Sequence, residues 1–232
     1  MKKLIRCTAA LLCGLVLFAM LPGCGESGAP APPIEEQVHT LVQGNLDLFY
    51  AGQVSELYKE QVGMTEEDVK AGYDDSIRAE VEYFVEYFQL VSPSAEATER
   101  LENLYRQIYA QAKYTVGEAA LHQTDEYVVP VTVRPVNVME LAIDTSDTAL
   151  ASFRETYAGK NVEDMTEEEK AVYENDWTTA IIDMVEAQLP NLGYKDAEEL
   201  MIHVRHESDG VWRLDRDDLT AVDIAVIYYP ED

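Results

Sequence analysis

The hydrophobic period of this chain changes from helical to alternating and back twice, and that order leaves few folds open. In the segment 34–50, Ile34, Val38, Leu41, Val42, Leu46 and Phe49 recur at helical spacing. The spacing predicts a shorter helix over 54–62, after the Ala51-Gly52 break. Thr65 and Asp68 read as a capping box that opens a long helix with its stripe on Val69, Tyr73, Ile77, Val81, Phe84, Val85 and Phe88. Pro93 is expected to close it, and Ser94 to cap a partner helix carrying Leu101, Leu104 and Ile108. The period then becomes two: 114–121 and 126–138 are rich in Val, Thr and Tyr and flank 122–125, an antiparallel hairpin. Pro130 and Pro135 cannot donate to a ladder, which places part of the second strand at an edge.

Helical spacing returns over 139–190. A first helix includes Leu150, Phe153 and Tyr157, and a second opens on a Thr166/Glu169 capping box and closes at Pro190 and Gly193. A second hairpin follows, 200–207 and 211–215, around Ser208-Asp209-Gly210, whose Asp-Gly pair is expected to supply the positive torsions of a tight turn. Asp218 is expected to cap a last helix with Leu219, Val222 and Val226 on its stripe. Hairpins imply antiparallel pairing, and strand does not alternate with helix as in a parallel sheet. The expectation is α+β: helices packed on one face of a curved antiparallel sheet built from two hairpins, with a helical insertion over 139–194.

Ahead of all this stand Lys2, Lys3 and Arg6, then an apolar run over 7–21, then Leu21-Pro22-Gly23-Cys24. That order of parts is an export signal. Its apolar core is about 15 residues, short of the roughly 20 that span a bilayer. The ending resembles the lipobox of bacterial lipoproteins, which implies cleavage before Cys24 and lipid on its sulfur. Residues 1–23 then form the signal, 24–33 a lipidated cysteine with a Pro- and Gly-rich tether, and 34–232 a single domain. Gly23, Gly25 and Gly28 match G-x-G-x-x-G, but no strand precedes them and no helix follows, so no dinucleotide site is read there.

The whole chain carries a formal charge of −27; loss of Lys2, Lys3 and Arg6 leaves 14 basic against 44 acidic residues, a charge of −30. Such a balance repels phosphate backbones, so nucleic acid is excluded as a partner. An apolar fraction of 47% with 14 tyrosines requires a folded core. Cys7 and Cys13 belong to the signal, which leaves Cys24 as the one thiol and rules out an internal disulfide in the processed chain.

Two stretches carry a further resemblance. Residues 195–219, with the Asp-Gly turn and Val211-Trp212-Arg213-Leu214-Asp215, are similar to the late hairpin of cone-shaped domains of the nuclear-transport-factor-2-like superfamily. Residues 45–75, with Gly63-Met64-Thr65-Glu66-Glu67-Asp68, resemble uncharacterised lipoproteins of Gram-positive bacteria. The superfamily holds both enzymes and binding domains, so the resemblance implies a fold and no single activity.

Motifs for chemistry are sparse. His203 and His206 are three apart in a predicted strand and point to opposite faces, which does not make a metal site. Asp215, Asp217 and Asp218 lack the glycine and glutamate that an EF-hand loop would place at Thr220 and Val226. No G-x-S-x-G elbow or Cys-His pair occurs. No catalytic residue, metal or cofactor is assigned. If a pocket exists, the sequence places it between the aromatic helix face with Tyr83 and Tyr87 and the concave side of the hairpins, near Tyr127 and Trp212. The reading is a membrane-anchored extracytoplasmic lipoprotein acting as a non-enzymatic binding or accessory domain, its membrane contact made through Cys24 and its protein or small-molecule partner open. The rival is an enzyme or small-ligand receptor with a buried carboxylate in an apolar cone.

Overall fold

The computed structural model of the chain describes residues 18–19 and 32–230. Cys24 and most of the expected signal and tether lie outside them. The helical half comes first: α1 (Ile34–Tyr50), α2 (Glu56–Val62), α3 (Glu66–Tyr87) and α4 (Ala95–Tyr109). The caps form where the side chains predict them. Thr65 and Asp68 close a reciprocal capping box, and Ser94 accepts from the backbone of Ala97. The α3 stop differs from expectation, coming at Tyr87 and not at Pro93. Gln89 takes a left-handed φ of 53°, and the N–H groups of Leu90 and Gln89 turn back to Val85 and Glu86. This is a Schellman ending, which satisfies the last carbonyls before Pro93 is reached. Helices α3 and α4 then pair antiparallel, with Phe84 edge-on to Tyr105 and Arg106 bonded to Asp74 at 2.8 Å.

The sheet curls around strands β2 (Lys113–Val116), β3 (Ala120–Gln123), β4 (Glu126–Arg134), β5 (Glu198–His206) and β6 (Val211–Leu214). A two-residue strand, β1 (Phe18–Ala19), lies antiparallel on β6. The long central ladder is β4 on β5, from Glu126↔Arg205 to Val133↔Glu198. The first expected strand is split: β2 and β3 both pair with β4, on either side of Gly117. Pro130 explains the split. It sits in mid-strand, where it cannot donate, and its carbonyl accepts from Gly117 just where the neighbouring strand is interrupted. A β-carbon on Gly117 would lie 2.7 Å from Pro130 Cγ. Thus β4 is not an edge strand as Pro130 suggested; the partner strand breaks around the proline instead.

Alternation along β4 buries Tyr127, Val129, Val131 and Val133. Ile202 and Val204 of β5 and Trp212 of β6 join them in one core with the helices. Between β4 and β5 the chain is helical, as the sequence predicts, but its first part is three short pieces: α5 (Val138–Asp144), α6 (Ser146–Ala149) and α7 (Ala151–Thr156). The Thr166/Glu169 box then opens α8 (Glu167–Glu186), which docks on α4 through Arg100, 2.7 Å from both Asp183 and Glu186. The last helix, α9 (Arg216–Val226), is capped by Asp215 and not by Asp218. In the second hairpin turn only Gly210 takes a positive φ, so Asp209 contributes its carboxylate, to Val211 and Arg213, in place of a left-handed backbone.

Candidate functional site

The four aromatic residues named as pocket candidates form two groups. Tyr83 and Tyr87, on α3, close around Tyr229 at ring separations of 4.8 and 4.9 Å, and the Tyr87 hydroxyl donates to the carbonyl of Pro230. Tyr127 stands edge-on to Trp212 at 5.5 Å, and Trp212 also meets the His206 ring at 4.9 Å. No ring contact joins the two groups among the described residues.

Behind Tyr83 lies a feature that sequence reasoning missed, a buried tyrosine and carboxylate cluster. Glu80 is 4% exposed on α3. Near it Tyr109 is wholly enclosed, and burial foremost, then the negative charges of Glu80 and Asp223, drives its hydroxyl well above the ordinary range. Tyr50 donates to Asp223 at 3.1 Å and stacks edge-on with Tyr109, while the hydroxyls of Tyr105 and Tyr229 bond each other. The signal was present in part: Tyr105 and Tyr109 fall on the predicted α4 stripe. Tyr229 and Asp223, more than a hundred residues on, gave none.

His203, Arg205, Asp215 and Asp218 form a polar network on the opposite, outward side of β4 and β5. His203 Nδ1 and its backbone N–H both meet Asp218 Oδ2, at 2.7 and 2.8 Å. This N–H has no ladder partner because β6 pairs only from Val204 onward. Arg205 bridges Glu126 at 2.6 Å and Asp215 at 2.5 Å. Burial raises the Asp215 carboxyl, but the Arg205 bond and the N–H groups of Asp218 and Asp217 outweigh it and hold it below its ordinary 3.8. His122, solitary in the sequence, stands 5.8 Å from the His203 ring. The arrangement ties a helix start to a strand, and no three of these groups converge as metal ligands among the described residues.

The third feature is an open depression of about 570 Å³ beside β2. It runs along the edge strand and is lined by Gln43 and Asp47 of α1 and by Lys113, Tyr114, Thr115, Thr132 and Arg134 of β2 and β4. Asp47 Oδ1 accepts from Tyr114 at 2.6 Å and Gln43 at 2.8 Å. Burial first, and then that bond to Asp47, drives the Tyr114 hydroxyl far upward. Among the described residues no helix is long and apolar enough to cross a membrane.

No protein-family model and no curated protein matches the chain. Among solved structures the chain is similar to a candidate lipoprotein of Bacillus subtilis subsp. subtilis str. 168, ycdA, with a TM-score of 0.53 at 17% identity. The likeness covers 82% of this chain and 56% of that one. At such identity the two share a fold, and this chain spans little more than half the length of that protein.

Proposed function

We propose that this protein is a lipid-anchored, extracytoplasmic binding or accessory module, held at the membrane through Cys24 and without catalytic activity of its own. The observation that carries the reading is the run from Lys2 to Cys24, with its cationic start, its short apolar core and a cysteine where the core ends. The fold shared with a candidate lipoprotein agrees with it. Two acyl chains on one cysteine hold a protein stably on a bilayer, at about 0.8 kcal/mol for each buried methylene, so no spanning helix is needed. Cleavage before Cys24 would also carry β1 away and open the edge of β6. Membership of the nuclear-transport-factor-2-like superfamily and a Gram-positive origin belong to the same proposal; the Gly210, Trp212 and Asp215 positions of the late hairpin support the first.

The non-enzymatic part rests on how the aromatic candidates are used. Tyr83 and Tyr87 spend their rings and a hydroxyl on Tyr229 and Pro230, and Trp212 is in ring contact with both Tyr127 and His206. One observation favours the rival receptor or enzyme reading: Glu80 is a deeply buried carboxylate whose charge acts on the enclosed Tyr109.

Replacing Cys24 with Ser tests the anchoring. The expected result is a folded protein that leaves the membrane fraction for the medium, or stays as unprocessed precursor. Processed, membrane-bound Cys24→Ser protein, or a mature N-terminus with a free thiol by mass spectrometry, would overturn it.

A further inference from the structure

The strand β1 ends the sheet on β6, with Phe18 opposite Trp212 and Ala19 opposite Val211. It belongs to the stretch from Leu15 to Leu21, which is apolar throughout. The backbone of β6 fixes which groups meet it. The Val211 carbonyl accepts from Glu207 and the Asp215 N–H donates to His203, so the odd residues of β6 turn to β5. Backbone groups alternate sides along a strand, which leaves the N–H and C=O of Trp212 and Leu214 turned the other way, toward β1. Helix α2 also packs on β1, so this strand is seated against both the β6 edge and a helix.

A four-residue edge is ordinarily left bare, its shortness keeping other chains off. That explains a bare β6 and not a segment paired on it. The seat also lies near the expected anchor. Trp212 is in ring contact with Tyr127, whose hydroxyl meets Glu35 at 3.4 Å in the first turn of α1, where the tether joins the domain. Residues 24–31 reach about 29 Å at most when extended, so lipid on Cys24 would keep the seat close to the bilayer that exported chains cross.

We propose that removal of residues 1–23 turns this seat into a binding site for an apolar, extended segment of another exported chain, added to β6 as an antiparallel strand. In such additions main-chain hydrogen bonds supply the affinity, and here they come from Trp212 and Leu214. The occupant is apolar because the segment seated there is. A second copy of this chain is disfavoured by its charge of −30, which pairing two β6 edges would set against itself. The inference rests on the reading of 1–23 as a cleaved signal and of the domain as a binding module, and it is independent of the lipid.

The binding test uses processed Cys24→Ser protein that begins at residue 24, so that no detergent competes for an apolar probe; among the described residues its core lies wholly within 34–229. The probe is a labelled peptide of residues 14–22 with an uncharged polar tail, and fluorescence anisotropy should show saturable binding. An N-methyl group on Phe18 of the peptide removes the donor opposite Trp212 and should weaken binding by at least about tenfold. The same group on Ala19, whose N–H turns away from β6, should leave binding unchanged. Hydrogen exchange needs no variant: the Trp212 amide should be protected in the precursor, exchange freely in processed protein, and be slowed by at least about tenfold when the peptide is added. The Arg213 amide, turned to β5, should be unaffected by the peptide. Processed protein that does not bind the peptide, equal losses from the two N-methyl groups, or a Trp212 amide that exchanges as freely in the precursor as in processed protein overturns the site. A Trp212 amide already protected in processed protein of doubled mass in solution overturns the occupant in favour of a second copy. A mature N-terminus with a free thiol would sink the anchor and leave peptide binding untouched, so the two failures are told apart.

Discussion

Gly44 is the position at which local propensity and tertiary packing give opposite predictions. It lies inside α1, where replacing glycine with alanine ordinarily stabilises a helix by about 1 kcal/mol. Here a β-carbon would fall 2.1 Å from Cδ2 and 2.2 Å from Cγ of Tyr58, and ordinary contact begins at 3.4 Å. The ring would have to retreat by about 1.3 Å. It has nowhere to go, because Tyr58 is fully enclosed and its hydroxyl is already so deep that burial pushes its pKa up to about 12. Overpacking of a filled core costs about 1–3 kcal/mol, and a conflict of this depth belongs at the top of that range. The helix gain offsets part of it, leaving Gly44→Ala less stable by about 2 kcal/mol. Urea unfolding of the variant should show the midpoint falling. In a Tyr58→Ala background, itself costly by about 3–5 kcal/mol, the same change should become neutral or stabilising by about 1 kcal/mol. The coupling across the double-mutant cycle is then about 2–3 kcal/mol. A raised midpoint in the single variant, or a cycle without coupling, would refute the packing of α2 on α1 through this ring.

Two further outcomes follow from the caps. Thr166→Ala removes the accepting half of the α8 capping box and should cost about 1 kcal/mol, seen as a fall of a few degrees in thermal unfolding, while Thr166→Ser keeps it. Asp215 has its folded pKa held below 3.8, so its contribution is complete above the unfolded value and is lost as pH falls through the folded one. Asp215→Asn should therefore lower the urea midpoint at pH 7 and make the loss of stability below about pH 4 shallower; equal losses for both proteins across that window would count against the Arg205 and N–H contacts as its cause.

What could be read from the residues was whatever their neighbours in sequence decide. The capping boxes at Thr65 and Thr166, the Ser94 cap, the two hairpins and the α+β class all rest on spacings of a few residues, and the structure contains them. Local rules failed where a distant element competed. Pro130 was a sound reason to expect an edge, but β5 pairs with that strand along its length and the cost moved to the break at Gly117. Asp218 looked like a cap for α9, yet the ladder ends early enough on β5 that His203 needs it, and Asp215 caps instead. The aromatic candidates show the same limit. Tyr83 with Tyr87 and Tyr127 with Trp212 are each brought together, but the partner that fills the first pair, Tyr229, could not be assigned by periodicity. The seating of β1 on β6 was hidden for a like reason, since it depends on the register between two distant segments.

The placement of Tyr229 and Pro230 has a consequence for the order in which this protein can be completed. Tyr50 waits for Asp223, 173 residues downstream, Tyr105 for Tyr229, 124 downstream, and Tyr87 for Pro230, 143 downstream. Ile227 also bridges Val136 in parallel, so the last few residues lock the early helices to the sheet. During synthesis, contacts of such long sequence separation form last and slowly. A nascent chain therefore has its helical hairpin unsealed until the segment 223–230 has been made and can dock.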